Sequence, residues 1–184
     1  MNLNPIEIKT NRLVLRGYSP RDMSFIFENY PKIEIMKMLG HRTEEEFQKE
    51  EYKHLNGYAA YNRSFLLFLL VEKSADTIIG RCGLHNWNID HRRAEIGYDI
   101  ADEKFKRNGF MTEAVAAILE YGFTQLNLHR IEALVGSNNI PSLKIMQKFA
   151  FVKEGVLREH YFNADKFEDS ILFSKLLGEY TKEV

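Results

Sequence analysis

The 184-residue chain carries 25 Lys and Arg against 26 Asp and Glu, with 45% apolar and 12% aromatic residues. That length and apolar content suit a single domain, residues 1–184, with its own core, and the balanced charge offers no basic face for a nucleic-acid backbone. No run approaches the ~18 apolar residues that span a membrane, and the first residues, MNLNPIEIKTNRLVLR, lack the basic start and apolar core of a secretory leader. One cysteine, Cys82, forms no internal disulfide, so a cytoplasmic protein with neither membrane nor nucleic-acid partner is expected.

In chain order, apolar alternation (Ile6, Ile8, Leu13, Leu15) predicts a first strand over residues 6–15. Ser19-Pro20-Arg21-Asp22 is a helix start, with Ser19 as cap and Pro20 at the first helical position, opening a short helix that carries Met23, Ile26 and Phe27. Thr43 with Glu46 three residues on reads as a capping box for a helix reaching about Tyr61. Residues 65–71 and 77–84 form a predicted hairpin, and residues 94–101 add a third antiparallel strand. The period then changes to helical: Met111, Val115, Ile118, Gly122 and Leu126 fall on one stripe. A strand over 131–135 follows, then a helix over 138–148 and a strand pair within 152–177 that turns at Asn163-Ala164-Asp165-Lys166. One mixed domain results.

The segment Phe105-Lys106-Arg107-Asn108-Gly109-Phe110-Met111-Thr112-Glu113-Ala114 joins a strand to an amphipathic helix. Free amides at a helix N-terminus and the positive end of the helix dipole favour an anion there, and a glycine lets backbone approach a phosphate closely. Lys104, Lys106 and Arg107 add positive charge, although Asn108-Gly109 read alone is equally an ordinary turn. Glu95 alternates with Ala94, Ile96 and Tyr98 and so shares the opposite strand face with Gly97 and Asp99. Asn139 and Ser142, three apart beside Pro141, are neighbours at a helix start. Cys82 and His85 point to opposite faces of a strand, which argues against a thiolate pair. The histidines at 41, 54, 85, 91, 129 and 160 lack metal-site spacing, so no metal is expected.

The ordered set Thr10-Asn11-Arg12-Leu13-Val14-Leu15-Arg16, Ala94-Glu95-Ile96-Gly97-Tyr98, the Gly109 turn ending in Thr112-Glu113-Ala114, Asn139 with Ser142, Phe151 to Gly155, and Glu168-Asp169-Ser170 resembles the GNAT superfamily. Within it the likeness is greatest to the branch of ribosomal-protein N-terminal alanine acetyltransferases. The resemblance implies an α/β (α+β) single-domain fold whose mixed, mostly antiparallel sheet splays between the Ala94 and Ile131 strands. It implies acetyl-CoA as co-substrate, its pyrophosphate on Arg107, Asn108, Gly109, Phe110, Met111 and Thr112, with Asn139 as a further cofactor contact. Glu95 is the implied base and Ser142 the implied acid, for transfer of acetyl to a primary amine, a protein N-terminus above all. Arg107 and Ala150 depart from the family, which usually has glycine at both places; an arginine resists positive φ, so a locally different loop is expected. A polyamine or other small amine as acceptor, and a non-catalytic acyl-CoA-binding or interaction protein of the same fold, are the alternatives. The aromatic tail (Tyr161, Phe162, Phe167) and the acidic helix after Thr43 are candidate homodimer contacts.

Overall fold

The computed structural model describes Leu3, residues 5–58 and residues 63–180. Its elements run β1 (Ile6–Lys9), β2 (Leu13–Tyr18), α1 (Pro20–Asn29), α2 (Lys32–Leu39), α3 (Glu44–Asn56), β3 (Ser64–Glu72), β4 (Thr77–Asn88), β5 (Arg93–Ile100), α4 (Phe110–Thr124), β6 (Arg130–Gly136), α5 (Ile140–Lys148), β7 (Val152–Asn163) and β8 (Lys166–Leu176). The strands form one sheet in the order β1-β2-β3-β4-β5-β6-β8-β7. All neighbours are antiparallel except β5 and β6, which run parallel and pair through Arg93–Arg130, Ala94–Ile131 and Glu95–Glu132 alone. Beyond Glu95 the two strands part, and the sheet opens where the resemblance implied.

The predicted first strand is two strands. Apolar alternation persists on both sides of Thr10-Asn11, but Thr10 N–H closes a turn on Leu13 O (3.0 Å), and Ile6 comes to lie opposite Gly17. The α1 start is as predicted: Asp22 Oδ2 accepts from Ser19 N–H (2.8 Å) while Ser19 Oγ accepts from Asp22 N–H. At α3 the box is half formed. Thr43 Oγ1 accepts from Glu46 N–H, but the Glu46 carboxylate takes Arg42 N–H instead (2.6 Å). The helix ends at Asn56 rather than near Tyr61, because Gly57 at φ 88° leaves helical space; Tyr61 itself lies outside the described residues. Helix α2 had no counterpart in the sequence reading, although Pro31 before it and Gly40 after it (φ 70°) are the usual brackets. Leu126, expected on the α4 stripe, lies past the end of that helix and packs against the core from the following turn.

Strand alternation splits the apolar residues between two faces. Leu15, Phe68, Ala94 and Ile96 pack with Val115 and Ile118 of α4 and Met146 of α5, all but excluded from solvent. Leu69, alternating with Phe68 and Leu70, turns to the other face and meets Met23, Ile26, Ile35 and Phe47 of α1–α3. Cys82 is fully buried on the α4 face and its thiol is pushed up by burial, which fits a small core residue. The β7–β8 hairpin turns on Ala164 and Asp165, both at positive φ, leaving Tyr161, Phe162 and Phe167 at its exposed end. Among the described residues no helix is long and apolar enough to cross a membrane.

Ala150 explains one family departure. Its N–H bonds Gln147 O (3.1 Å) while Phe151 N–H reaches back to Met146 O (2.9 Å), the paired bonds of a Schellman helix end. Ala150 therefore sits at φ 50°, where a Cβ costs about 1 kcal/mol. Ala150→Gly relieves that strain and is expected to stabilise the protein by about 0.5–1 kcal/mol, raising Tm by ~1–4 °C in calorimetry.

Candidate active site

The loop before α4 is shaped by two consecutive reversals. Arg107 adopts φ 62° and Gly109 φ 79°, so the expected departure at Arg107 does not occur: arginine accepts the left-handed conformation that a glycine would take freely. Gly109 is the N-cap of α4 and supplies no side-chain cap. The first helical bond runs from Glu113 N–H to Gly109 O (3.0 Å), which leaves the amides of Phe110, Met111 and Thr112 ahead of the ladder. Three free donors at the positive end of a helix dipole suit an anion such as a pyrophosphate. The added cations are fewer than the sequence suggested. Lys106 pairs with Glu103 (2.6 Å) and Lys104 with Asp102 (3.3 Å), whereas Arg107 is exposed with no ion-pair partner among the described residues.

Arg12 holds this loop. Its Nε donates to Glu113 Oε2 (2.7 Å), its Nη1 to Asn108 O (2.8 Å), and its guanidinium lies 4.3 Å from the Phe110 ring centre. Arg12 N–H and Thr10 Oγ1 add two bonds of 2.6 Å to Glu113 Oε1. Burial opposes ionisation of Glu113, but these donors together hold its carboxyl below the ordinary range. Both ends of this clamp lie in the quoted motifs, Arg12 in the first and Glu113 in the third; sequence alone did not join them across a separation of 101 residues.

Glu95 projects from β5 onto the face opposite Ala94 and Ile96, as alternation required. Its side chain retains 16% exposure; Oε1 lies 3.1 Å from His85 Nε2 and Oε2 accepts from Asn86 Nδ2 (3.0 Å). His85 stands directly across the strand pair and covers Gly97, where any side chain would strike its ring. Burial pushes the Glu95 carboxyl up, but the His85 and Asn86 contacts and the more distant His160 outweigh it, and the carboxyl titrates below its usual value. His160 in turn meets Ser170 through Nδ1 (3.1 Å). His85, Asn86 and His160 were not identified as site residues from sequence; the cross-strand register that brings His85 to Glu95 is the missing signal.

Asn139 caps α5, its Oδ1 accepting Ser142 N–H (3.2 Å), so these two residues are brought together as expected. The Ser142 hydroxyl stands beside Tyr98, which faces the α4 side of β5 in the parted section of the sheet. Met146, one turn later, is fully buried. A cavity of about 580 Å³ runs along the outer stripe of α4 from Thr10 and Glu113 to Lys148 and Lys175, but neither Glu95 nor Ser142 is in its wall. Among the described residues no cluster of His, Cys, Asp or Glu could hold a metal ion.

The family model for the acetyltransferase (GNAT) domain matches residues 12–152. The chain is 33% identical over 173 residues to the Bacillus licheniformis protein "Uncharacterized N-acetyltransferase p20", covering 93% of this chain and 96% of that one. It is 31% identical over 175 residues to the spermidine N(1)-acetyltransferase of Vibrio cholerae, covering 91% and 97% respectively. The crystal structure of ribosomal-protein-S5-alanine acetyltransferase from Vibrio fischeri superposes with a TM-score of 0.66 over 96% of this chain and 99% of that one; at 22% identity this likeness concerns the fold.

Arg12→Ala removes three contacts to the α4 loop. Because the arginine is 40% exposed, the expected loss is about 1–2 kcal/mol, less than full charge-assisted bonds would give. Glu113 has a depressed folded value, so its contribution is present above the unfolded value of about 4.3 and fades as pH falls through the folded one. Urea titrations of Arg12→Ala and wild type should therefore differ most at pH 7, and the difference should shrink at acid pH to what the Asn108 and Phe110 contacts contribute. A constant difference from pH 7 to pH 3 would show that the guanidinium acts through Asn108 and Phe110 rather than through Glu113.

Proposed function

The chain belongs to the GNAT acetyltransferase family and is an N-acetyltransferase, and from that premise we propose that it moves acetyl from acetyl-CoA onto a protein or peptide N-terminal α-amine, with Glu95 as base and Ser142 as acid. The observation that carries this reading is a partly buried carboxylate, Glu95, on the face of β5 where the sheet parts. Bound acetyl-CoA supplies the activated acyl carbon. The amides of Phe110, Met111 and Thr112, with Arg107 beside them, hold its pyrophosphate, and Asn108 and Gly109 shape that loop. Asn139, beyond capping Ser142 N–H, keeps its amide nitrogen for a further cofactor contact.

Glu95 is poised to accept the proton that the amine nitrogen sheds, directly or through one water. Ser142 provides a hydroxyl at the positive end of α5 for the leaving sulfur, and its proton is restored from solvent. The carbon–nitrogen bond forms, the carbon–sulfur bond breaks, and one proton passes in net from nitrogen to sulfur. Two neighbouring carboxylates are already committed: Glu132 accepts from Arg93 (3.2 Å) and Arg130 (2.6 Å), and Glu154 from Arg130 (2.9 Å) and Ser174 (2.5 Å), while Asp99, on the Glu95 face of β5, is exposed. The lower basicity of an α-amine favours this acceptor over a polyamine. The spermidine relative supports the second reading, in which a polyamine is the acceptor. The exposed Tyr161, Phe162 and Phe167 offer an apolar face to a second copy of the chain, which sedimentation equilibrium tests.

The decisive comparison is kcat/KM from pH 6.5 to 9.5 for a peptide with a free small N-terminal residue, the same peptide blocked at its N-terminus with an internal lysine, and spermidine. The free-N-terminus peptide is expected to lead, and a tenfold advantage of spermidine across the range would assign the polyamine reading instead. Acetyl-CoA at a hundredfold excess over its Kd should add about 2.7 kcal/mol, a Tm rise of ~5–10 °C.

Glu95→Gln should keep that rise and lose about 10²- to 10⁴-fold in kcat. The depressed Glu95 carboxyl also gives a pH signature: wild-type kcat/KM should show no carboxylate limb above pH 5. His85→Ala removes a contact that lowers the value and should move such a limb upward.

A further inference from the structure

Tyr98 carries a hydroxyl for which the fold has no use. Its Oη is buried and makes no hydrogen bond of normal geometry among the described residues. A buried polar group left unpaired costs about 1–3 kcal/mol, and a phenylalanine would fill the same space without that cost. The residue lies opposite Cys82 on β4, whose fully buried thiol is a weak partner at best. It packs against the α4-side core together with Leu143, the residue after Ser142. On its other flank β5 has already left β6, since their last shared pair is Glu95–Glu132. The phenol therefore stands at the edge of the opening, on the Ser142 side and away from Glu95.

The Ser142 hydroxyl is the polar group beside it. Burial raises the Tyr98 phenol, the neighbouring Ser142 hydroxyl lowers it, and the buried Cys82 thiol opposite raises it slightly. Ser142 N–H is already taken by Asn139 Oδ1, so the backbone at the start of α5 is fixed while the serine hydroxyl is not. A serine hydroxyl rotates freely unless something accepts from it or donates to it. A donor of the strength of a phenol, fixed on a strand, would occupy one lone pair of Oγ and leave the serine proton to point elsewhere.

We propose that Tyr98 is a positioning residue for the acid half of the reaction: its Oη–H donates to Ser142 Oγ when the acyl arm fills the gap between β5 and β6, turning the serine proton toward the sulfur. This rests on the reading of Ser142 as acid. No proton leaves Tyr98; the bond orients Ser142 and makes its oxygen less able to hold its own hydrogen away from the sulfur. The buried hydroxyl is then kept for the loaded enzyme rather than for the empty one, where it is a cost.

Tyr98→Phe, Ser142→Ala and the double variant separate the possibilities. Tyr98→Phe should lower kcat by about tenfold, as for one lost hydrogen bond, with KM for acetyl-CoA within about twofold of wild type. Its Tm without acetyl-CoA should equal or exceed that of wild type, which a residue kept for packing or folding would not show. In the Ser142→Ala background the same change should lower kcat no further. Full multiplication of the two losses, or wild-type kcat in Tyr98→Phe while Ser142→Ala is impaired, overturns the role of the tyrosine alone. Wild-type kcat in Ser142→Ala overturns the serine's role and the positioning with it. A Tyr98→Phe enzyme with lower Tm and raised KM would return the residue to the scaffold.

Discussion

The ion pair between Arg12 and Glu113 is the contact on which the loop before α4 depends. One guanidinium grips the Glu113 carboxylate, the Asn108 carbonyl and the Phe110 ring, and so fastens the β1–β2 turn to both sides of the Gly109 reversal. The loop needs this restraint because it is strained. Arg107 occupies the left-handed region at a cost of about 1–2 kcal/mol, which the local bond from Asn108 Nδ2 to Lys104 O (2.8 Å) helps to offset. With the loop fixed, the first amides of α4 point outward ahead of the helical ladder. The front motif and the Thr112-Glu113-Ala114 motif are thus two halves of one device, although the elements α1 to β5 separate them in sequence.

A second constraint is the short parallel contact between β5 and β6. Three paired residues join the two halves of the sheet and then stop, so the strand that bears Glu95 is anchored at its start and free of a neighbour beyond. Alternation does the rest: Glu95 and Gly97 look to one face, and Tyr98 looks with Ala94 and Ile96 to the other, where α4 and α5 pack. The sheet works as a partition with a slot in it. Glu95 and the Tyr98 phenol therefore stand on opposite sides of that slot.

Much of this was legible in the sequence because it follows from local rules. Alternation placed Glu95, capping chemistry placed Ser19 and Asn139, and a change of period located α4. What escaped depends on tertiary register. The break of the first strand at Thr10-Asn11 carries no proline or glycine, and its bond to Leu13 is visible only once the chain folds back. His85 reached Glu95 through a cross-strand pairing that spacing does not reveal. The expectation that Arg107 would distort its loop failed because a local preference of about 1–2 kcal/mol yields to the contacts from Arg12 that hold the flanking Asn108, Phe110 and Glu113. Ala150 yields in the same way, held at positive φ by the two backbone bonds that end α5.

The energetics of deprotonation bear on which amine the site serves. The attacking nitrogen must be neutral, and an α-amine near 7.7–8 gives up its proton about 2.5 units more readily than a lysine-type amine near 10.4. At about 1.4 kcal/mol per unit that is roughly 3.5 kcal/mol, and the difference is the same whatever base receives the proton. A carboxylate held below its ordinary value, as Glu95 is by His85 and Asn86, makes either transfer uphill and so leaves little to spare for the more basic amine. A polyamine site would recover the deficit by binding the remaining positive charges to free carboxylates. Here Glu132 and Glu154 are occupied by Arg93 and Arg130 and two histidines lie near Glu95, which leaves Asp99 as the exposed carboxylate on the same face of β5. On the proposed reading, Glu95 therefore accepts most readily from one amine of low basicity, and a polyamine would have to place a further charge on exposed groups such as Asp99.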